Sequence, residues 1–198
     1  SVANDELPIS KKQAEHVATW MVDNFGQKLA DAVKGTVFGR KHLCAIVCQE
    51  TAFVWTGWLS KMTADEILAR CVFDASGDAS GTTRSAFPRK TAEFRERYGD
   101  AFTEMLIEEA NVTRHIRGYS SRSWVYKGYG LFQYDLQHVK TDEEFFRQRD
   151  WYSFDACLTK AMAELKVKFA ATGDLWKAIK AYNGSGSKAE QYKQNVQK

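Results

Sequence analysis

Proline is nearly absent, with only Pro8 and Pro88 in 198 residues. Proline breaks helix interiors, so its scarcity leaves long stretches free to run as helix. No apolar run reaches the roughly 18 residues that a membrane-spanning helix needs, so no span is predicted. The first residues, Ser-Val-Ala-Asn-Asp-Glu, carry neither the basic nor the apolar region of a signal peptide. The four histidines, His16, His42, His115 and His138, are scattered without metal-ligand spacing. The cysteines, Cys44, Cys48, Cys71 and Cys157, match neither a zinc site nor a dense disulfide framework. They read as small buried apolar residues, and neither a metal nor a cofactor is expected. The net charge is only +3 with both signs interspersed, so no nucleic-acid partner is expected. The glycine-rich stretch from Gly77 to Gly81 lacks the lysine and strand context of a phosphate cradle.

What is present suits one globular domain, either generous in size or carrying an insertion. Aromatics are plentiful, at 12 Phe, 8 Tyr and 6 Trp, which suits core packing first and a sugar-stacking cleft second. Periodicity predicts a helix from Ser10, its N-cap, towards Asn24, with Ala14, Val17, Ala18, Met21 and Val22 as its apolar stripe. A second helical stretch covers about 28–34, and a third begins near Arg40. Thr63 and Glu66 form a capping box for a short helix. Residues 74–83 read as a polar loop. Pro88 then restarts a helix that Gly99 stops, and Asp100 caps the next through about Ala110. From Arg117 to Tyr134 glycines and aromatics alternate as turns around a short hairpin. Helices return at 153–171, closed by Gly173, and after Asp174. A last one holds Tyr192 and Val196 beyond the Asn183-Gly-Ser-Gly-Ser187 loop. The fold class is mainly α.

Three segments could carry chemistry. Leu43, Ile46, Val47 and Glu50 share one helix face, so an acid ends an apolar stripe. At a helix C-terminus, with Phe53, Val54 and Trp55 following, the dipole and desolvation both favour its protonated form. That is what a general acid needs near neutral pH. Local sequence by itself also fits an ordinary exposed glutamate. The second segment, Gly128-Tyr-Gly-Leu-Phe-Gln133, allows a tight backbone path ending in an amide that can donate and accept. The third, Ala181-Tyr-Asn-Gly184, ends a helix beside a loop. Each alone is a weak signal.

Taken in order, Glu50-Thr51, Gly130-Leu-Phe-Gln133 and Ala181-Tyr-Asn183 resemble the lysozyme-like superfamily. The likeness is to its lytic transglycosylase and goose-type lysozyme branch, with Thr51 and Phe132 in place of that pattern's serine and methionine. The resemblance implies a lysozyme-like helical domain with Glu50 as general acid and then base. It implies that Gln133, Gly130 and the backbone around Phe132 hold a sugar N-acetyl group, that Tyr182 orients the acid, and that Asn183 lines the cleft. The implied substrate is peptidoglycan, cut at the β-1,4 bond between N-acetylmuramic acid and N-acetylglucosamine, which places the protein in the periplasm or outside the cell. The alternatives are a chitin- or chitosan-cleaving enzyme and a non-catalytic glycan-binding or structural module. Glu50 and Gly130 stand far apart for this pattern, so residues 58–126 are expected to hold an insertion or an elaborated second lobe. A second carboxylate would separate hydrolysis from transglycosylation, and Asp74, Asp78 and Asp135 are the candidates.

Overall fold

The computed structural model describes residues 8–182, and the last expected helix and its loop lie outside them. The fold is mainly α-helical with one small antiparallel sheet. The chain divides into two compact units, one made of residues up to Met62 and from Leu158 onward, the other of Thr63–Cys157. No helix of the described residues is long and apolar enough to cross a membrane.

The first unit opens with helix α1, Lys11–Val33. Ser10 caps it as expected, its hydroxyl accepting from the Gln13 backbone while the Gln13 side chain accepts from Ser10. The helix does not stop near Asn24. Gly26 is carried inside it, since a single glycine costs only about 1 kcal/mol against the packing of an apolar face. Helix α2, Arg40–Val47, is started by buried His42, whose Nδ1 accepts from the Gly39 N–H. Burial, and then the charge of Lys41, push the His42 pKa down, which favours the neutral ring needed for that bond. Val17, Met21, Leu29, Leu43, Ile46, Val47, Trp55 and Leu165 are wholly buried here. Aromatic contacts reinforce the packing, with Trp20 and Trp55 ring centres 4.7 Å apart and His42 and Trp176 5.6 Å apart.

The second unit begins with the helix Ala64–Ala69, capped by the expected Thr63–Glu66 box. Strand β1, Val72–Ala75, follows and takes in the first two residues of the loop expected at 74–83. It pairs antiparallel with β2, Tyr126–Tyr129, and β2 pairs with β3, Tyr134–Asp135. Between β1 and β2 lie the helices Thr91–Tyr98 and Asp100–Ile116, separated at Gly99, whose φ of 87° suits glycine. The second of these runs six residues past the expected Ala110. Phe73, Phe94, Tyr129, Phe132, Phe145, Phe146 and Trp151 fill this unit's core. The long helix Phe154–Thr172 starts in this unit, capped by the Ser153 hydroxyl, and Gly173 ends it at φ 66°. Asp174 then caps Leu175–Tyr182 through the Lys177 N–H.

Candidate functional site

Glu50 does not end its helix. Cys48–Ala52 is a π-helical step, followed by an α turn at Phe53–Trp55 and a 3-10 turn at Thr56–Trp58, so the helical run from Arg40 continues through Trp58. Glu50 therefore lies within the run and not, as expected, at the negative end of a helix dipole. In its place stands a rarer feature. Single π turns inside α-helices are uncommon and concentrate at functional sites, because the extra residue re-aims the side chains around it. Here Glu50 is half-buried at the centre of the step. Thr51 beside it is wholly buried, and its hydroxyl accepts from the Trp55 indole N–H at 2.9 Å. Tyr182, half-buried at the end of Leu175–Tyr182, belongs to the same unit. Asn183 lies outside the described residues.

Gly130, Phe132 and Gln133 belong to the second unit and form the turn between β2 and β3. Both ends of the turn are left-handed, with φ of 86° at Gly130 and 59° at Gln133. A side chain at Gly130 would strike the Cys157 sulfur, so the turn is close-packed as well as twisted. Phe132 is buried against Phe154, their ring centres 6.1 Å apart. The Gln133 amide nitrogen donates to the carbonyls of Cys71 at 3.2 Å and Gly130 at 2.9 Å. Both its protons are thus committed to holding the turn. The amide oxygen occupies the space that a side chain at Gly128 would need, and it accepts no hydrogen bond among the described residues. Chemically, Gln133 offers an acceptor whose position is fixed in advance.

The three candidate second carboxylates differ. Asp135 sits in a fork with Arg84, at 2.5 and 3.1 Å, and also accepts from the Gln137 N–H. Arg84 in turn donates to the carbonyls of Phe87 and Pro88, so this pair pins the 84–88 loop. Asp78 accepts three bonds from Thr91, two from its N–H and one from its hydroxyl, and thereby caps Thr91–Tyr98. The Thr91 hydroxyl accepts from Val125, and the Gly77 N–H donates to the Arg89 carbonyl, so this loop is tied down at Gly77 and Asp78. Asp74 is exposed, with a left-handed φ of 65°. Asp78 also lines an open groove of about 670 Å³ with Thr91, Arg95, Glu96, Asp100 and Trp124. Sequence reasoning missed Arg84 and Thr91 because nothing local marks a partner 51 or 13 positions away.

The cysteines are free, with Cys44, Cys71 and Cys157 buried and Cys48 partly so. Burial pushes the Cys48 and Cys157 thiols up to about 12, which removes thiolate chemistry at neutral pH.

Together these features define a mainly helical protein whose marked acid lies in a π-helical step and whose glutamine closes a constrained β-turn. Comparison with protein-family models finds no match, and comparisons with curated proteins and with solved structures find none either.

Proposed function

We propose that this chain is a lysozyme-like glycosidase that cleaves peptidoglycan between N-acetylmuramic acid and N-acetylglucosamine, with Glu50 as general acid and base. The observation that carries the reading is the position of Glu50 at the centre of a π-helical step. The three ordered motifs of the lytic transglycosylase pattern stand beside it as support. Glu50 passes its proton to the glycosidic oxygen as the bond to C1 breaks, and the resulting carboxylate then takes a proton from the attacking hydroxyl. Gln133 contributes its fixed amide oxygen to the N–H of an N-acetyl group, and Tyr182 orients the acid.

The commitments of the aspartates favour transglycosylation over hydrolysis. Asp78 and Asp135 are held by Thr91 and Arg84, so using either to activate water would undo a loop anchor. In the one-carboxylate route the muramic acid's own C6 hydroxyl attacks C1, its proton goes to Glu50, and a 1,6-anhydro sugar is released. Asp74, exposed, is the carboxylate that a hydrolytic route would use. Mass spectrometry of digested sacculi tests both points. Anhydro-muramic ends are expected from the native chain and their loss from Glu50→Gln. Reducing ends would indicate hydrolysis, while cleavage retained by Glu50→Gln would remove the assignment altogether. Fragments released from chitin or chitosan alone would change the polymer, and glycan binding without products would make the chain a binding module.

A further inference from the structure

The stretch 110–134 contains no aspartate or glutamate, yet it carries Arg114, Arg117, Arg122 and Lys127 together with His115. The structure assembles three of these cations on a ladder of rings. The Arg117 guanidinium lies 5.3 Å from the centre of Tyr119, and Arg114 lies 5.4 Å from the same ring. Arg114 is also 5.8 Å from the centre of Trp124, and Arg122 is 5.2 Å from it. Arginine and aromatic therefore alternate continuously from Arg117 to Arg122. None of the four cations is in an ion pair among the described residues.

Arg114 and Arg117 lie at the end of the helix Asp100–Ile116, and the loop that carries Arg122 is fastened to that end. Asn111 clamps the Arg122 backbone with two bonds of 2.9 Å, Arg114 donates to the Ser120 carbonyl, and His115 meets the Ser121 hydroxyl. Like charges gathered at one helix end and the loop fastened to it repel one another, and a cation already stacked on a ring loses little freedom when an anion arrives. Such a surface is built for an external anion. Guanidinium forks match carboxylates in shape as well as charge. A nucleic acid fits less well, because the faces of Tyr119 and Trp124 that would stack on bases each already lie near two guanidiniums.

We propose that Arg117, Arg122 and Arg114 form a docking surface for the peptide-stem carboxylates of a cell-wall glycan strand. This rests on the peptidoglycan reading above for the identity of the polymer. The surface would hold the protein on the insoluble wall independently of the bond it cuts.

The test is pelleting with purified peptidoglycan sacculi, using Glu50→Gln as the parent chain so that no cleavage intervenes. The Arg117 and Arg122 side chains make no hydrogen bond among the described residues, so Arg117→Gln with Arg122→Gln leaves the loop's fastening in place. That double variant should bind roughly tenfold more weakly, and more so at low salt. Arg117→Lys with Arg122→Lys should keep most of the affinity. Sacculi whose carboxyls have been amidated should bind the parent as weakly as native sacculi bind the glutamine variant. Equal pelleting of parent and glutamine variant would overturn the proposal, as would indifference to amidation or tighter binding to a single-stranded oligonucleotide. Digestion by the native chain is scored separately: absent products with arginine-dependent pelleting would refute the catalytic reading and leave this one standing.

Discussion

Replacing Glu109 with alanine should destabilise the chain more than any exposed substitution. Glu109 and Arg70 are each only 10% exposed at their side chains and meet at 2.5 Å. The Tyr152 hydroxyl donates to both carboxylate oxygens, and Arg149 donates at 2.8 Å. Arg149 is 42% exposed, so its share is small. The loss is dominated by Arg70, left charged and buried with its partner gone, at about 3–5 kcal/mol. A shift of about 2–4 °C per kcal/mol for a chain of this length makes that about 6–20 °C in melting temperature. Urea denaturation followed by tryptophan fluorescence, together with a thermal scan, reads the effect. The pair also predicts strong coupling: Arg70→Met with Glu109→Met should recover at least half of the single-variant loss, because no unpaired charge then remains. Strict additivity of the two losses, or a shift under about 2 °C for Glu109→Ala, would refute the reasoning. The same cluster predicts acid sensitivity. Burial opposes ionisation of Glu109, but the bonds from Tyr152, Arg70 and Arg149 outweigh it and hold its pKa below the ordinary 4.5. Its stabilisation is therefore complete above 4.5 and fades as pH falls through the lowered value. Glu109→Ala should flatten that acid limb.

Two further outcomes follow from packing. Gly128→Ala should expel the Gln133 amide and break its bonds to Cys71 and Gly130, costing about 1–3 kcal/mol and most wall cleavage; urea midpoints and sacculus digestion check this, and unchanged digestion would separate Gln133 from the activity. Thiol titration with a disulfide reagent near pH 8 should proceed slowly at Cys48 and Cys157, both pushed up to about 12, and all four cysteines should react promptly once guanidinium unfolds the chain.

Local chemistry was well marked in the sequence. The Ser10 cap, the Thr63–Glu66 capping box, the stops at Gly99 and Gly173, and the Ser153 and Asp174 caps all depend on neighbours within four residues, whereas Asp100, expected as a cap, is the first residue of its helix and pairs with Arg95 instead. Features decided over longer spans were hidden. Strand β1 exists because Phe73 and Ala75 pair with Gly128 and Tyr126 more than fifty positions later, and no local pattern announces that. The helix through Gly26 is likewise kept by tertiary burial of Val17, Met21 and Leu29. Glu50 stood out as the end of an apolar stripe, but its π-helical setting is a matter of one extra residue in a turn, which periodicity averages away. The bonds of Asp78 and Asp135 were invisible for the same reason as β1: their partners lie elsewhere in the chain.

The division of the chain also sets an order of assembly. The second unit, Thr63–Cys157, is one continuous stretch, whereas the first is made of two stretches separated by it. During synthesis the continuous unit has all its strands and helices available once Cys157 emerges, while α1 and α2 still lack Leu165, Ala178 and Ile179. A folded insert brings its own two ends to a fixed separation, so the entropy of closing the loop between the halves of the first unit has by then already been met. Completion of the unit that carries Glu50 thus waits on the stretch from Leu158 onward, which is synthesised after the whole of Thr63–Cys157.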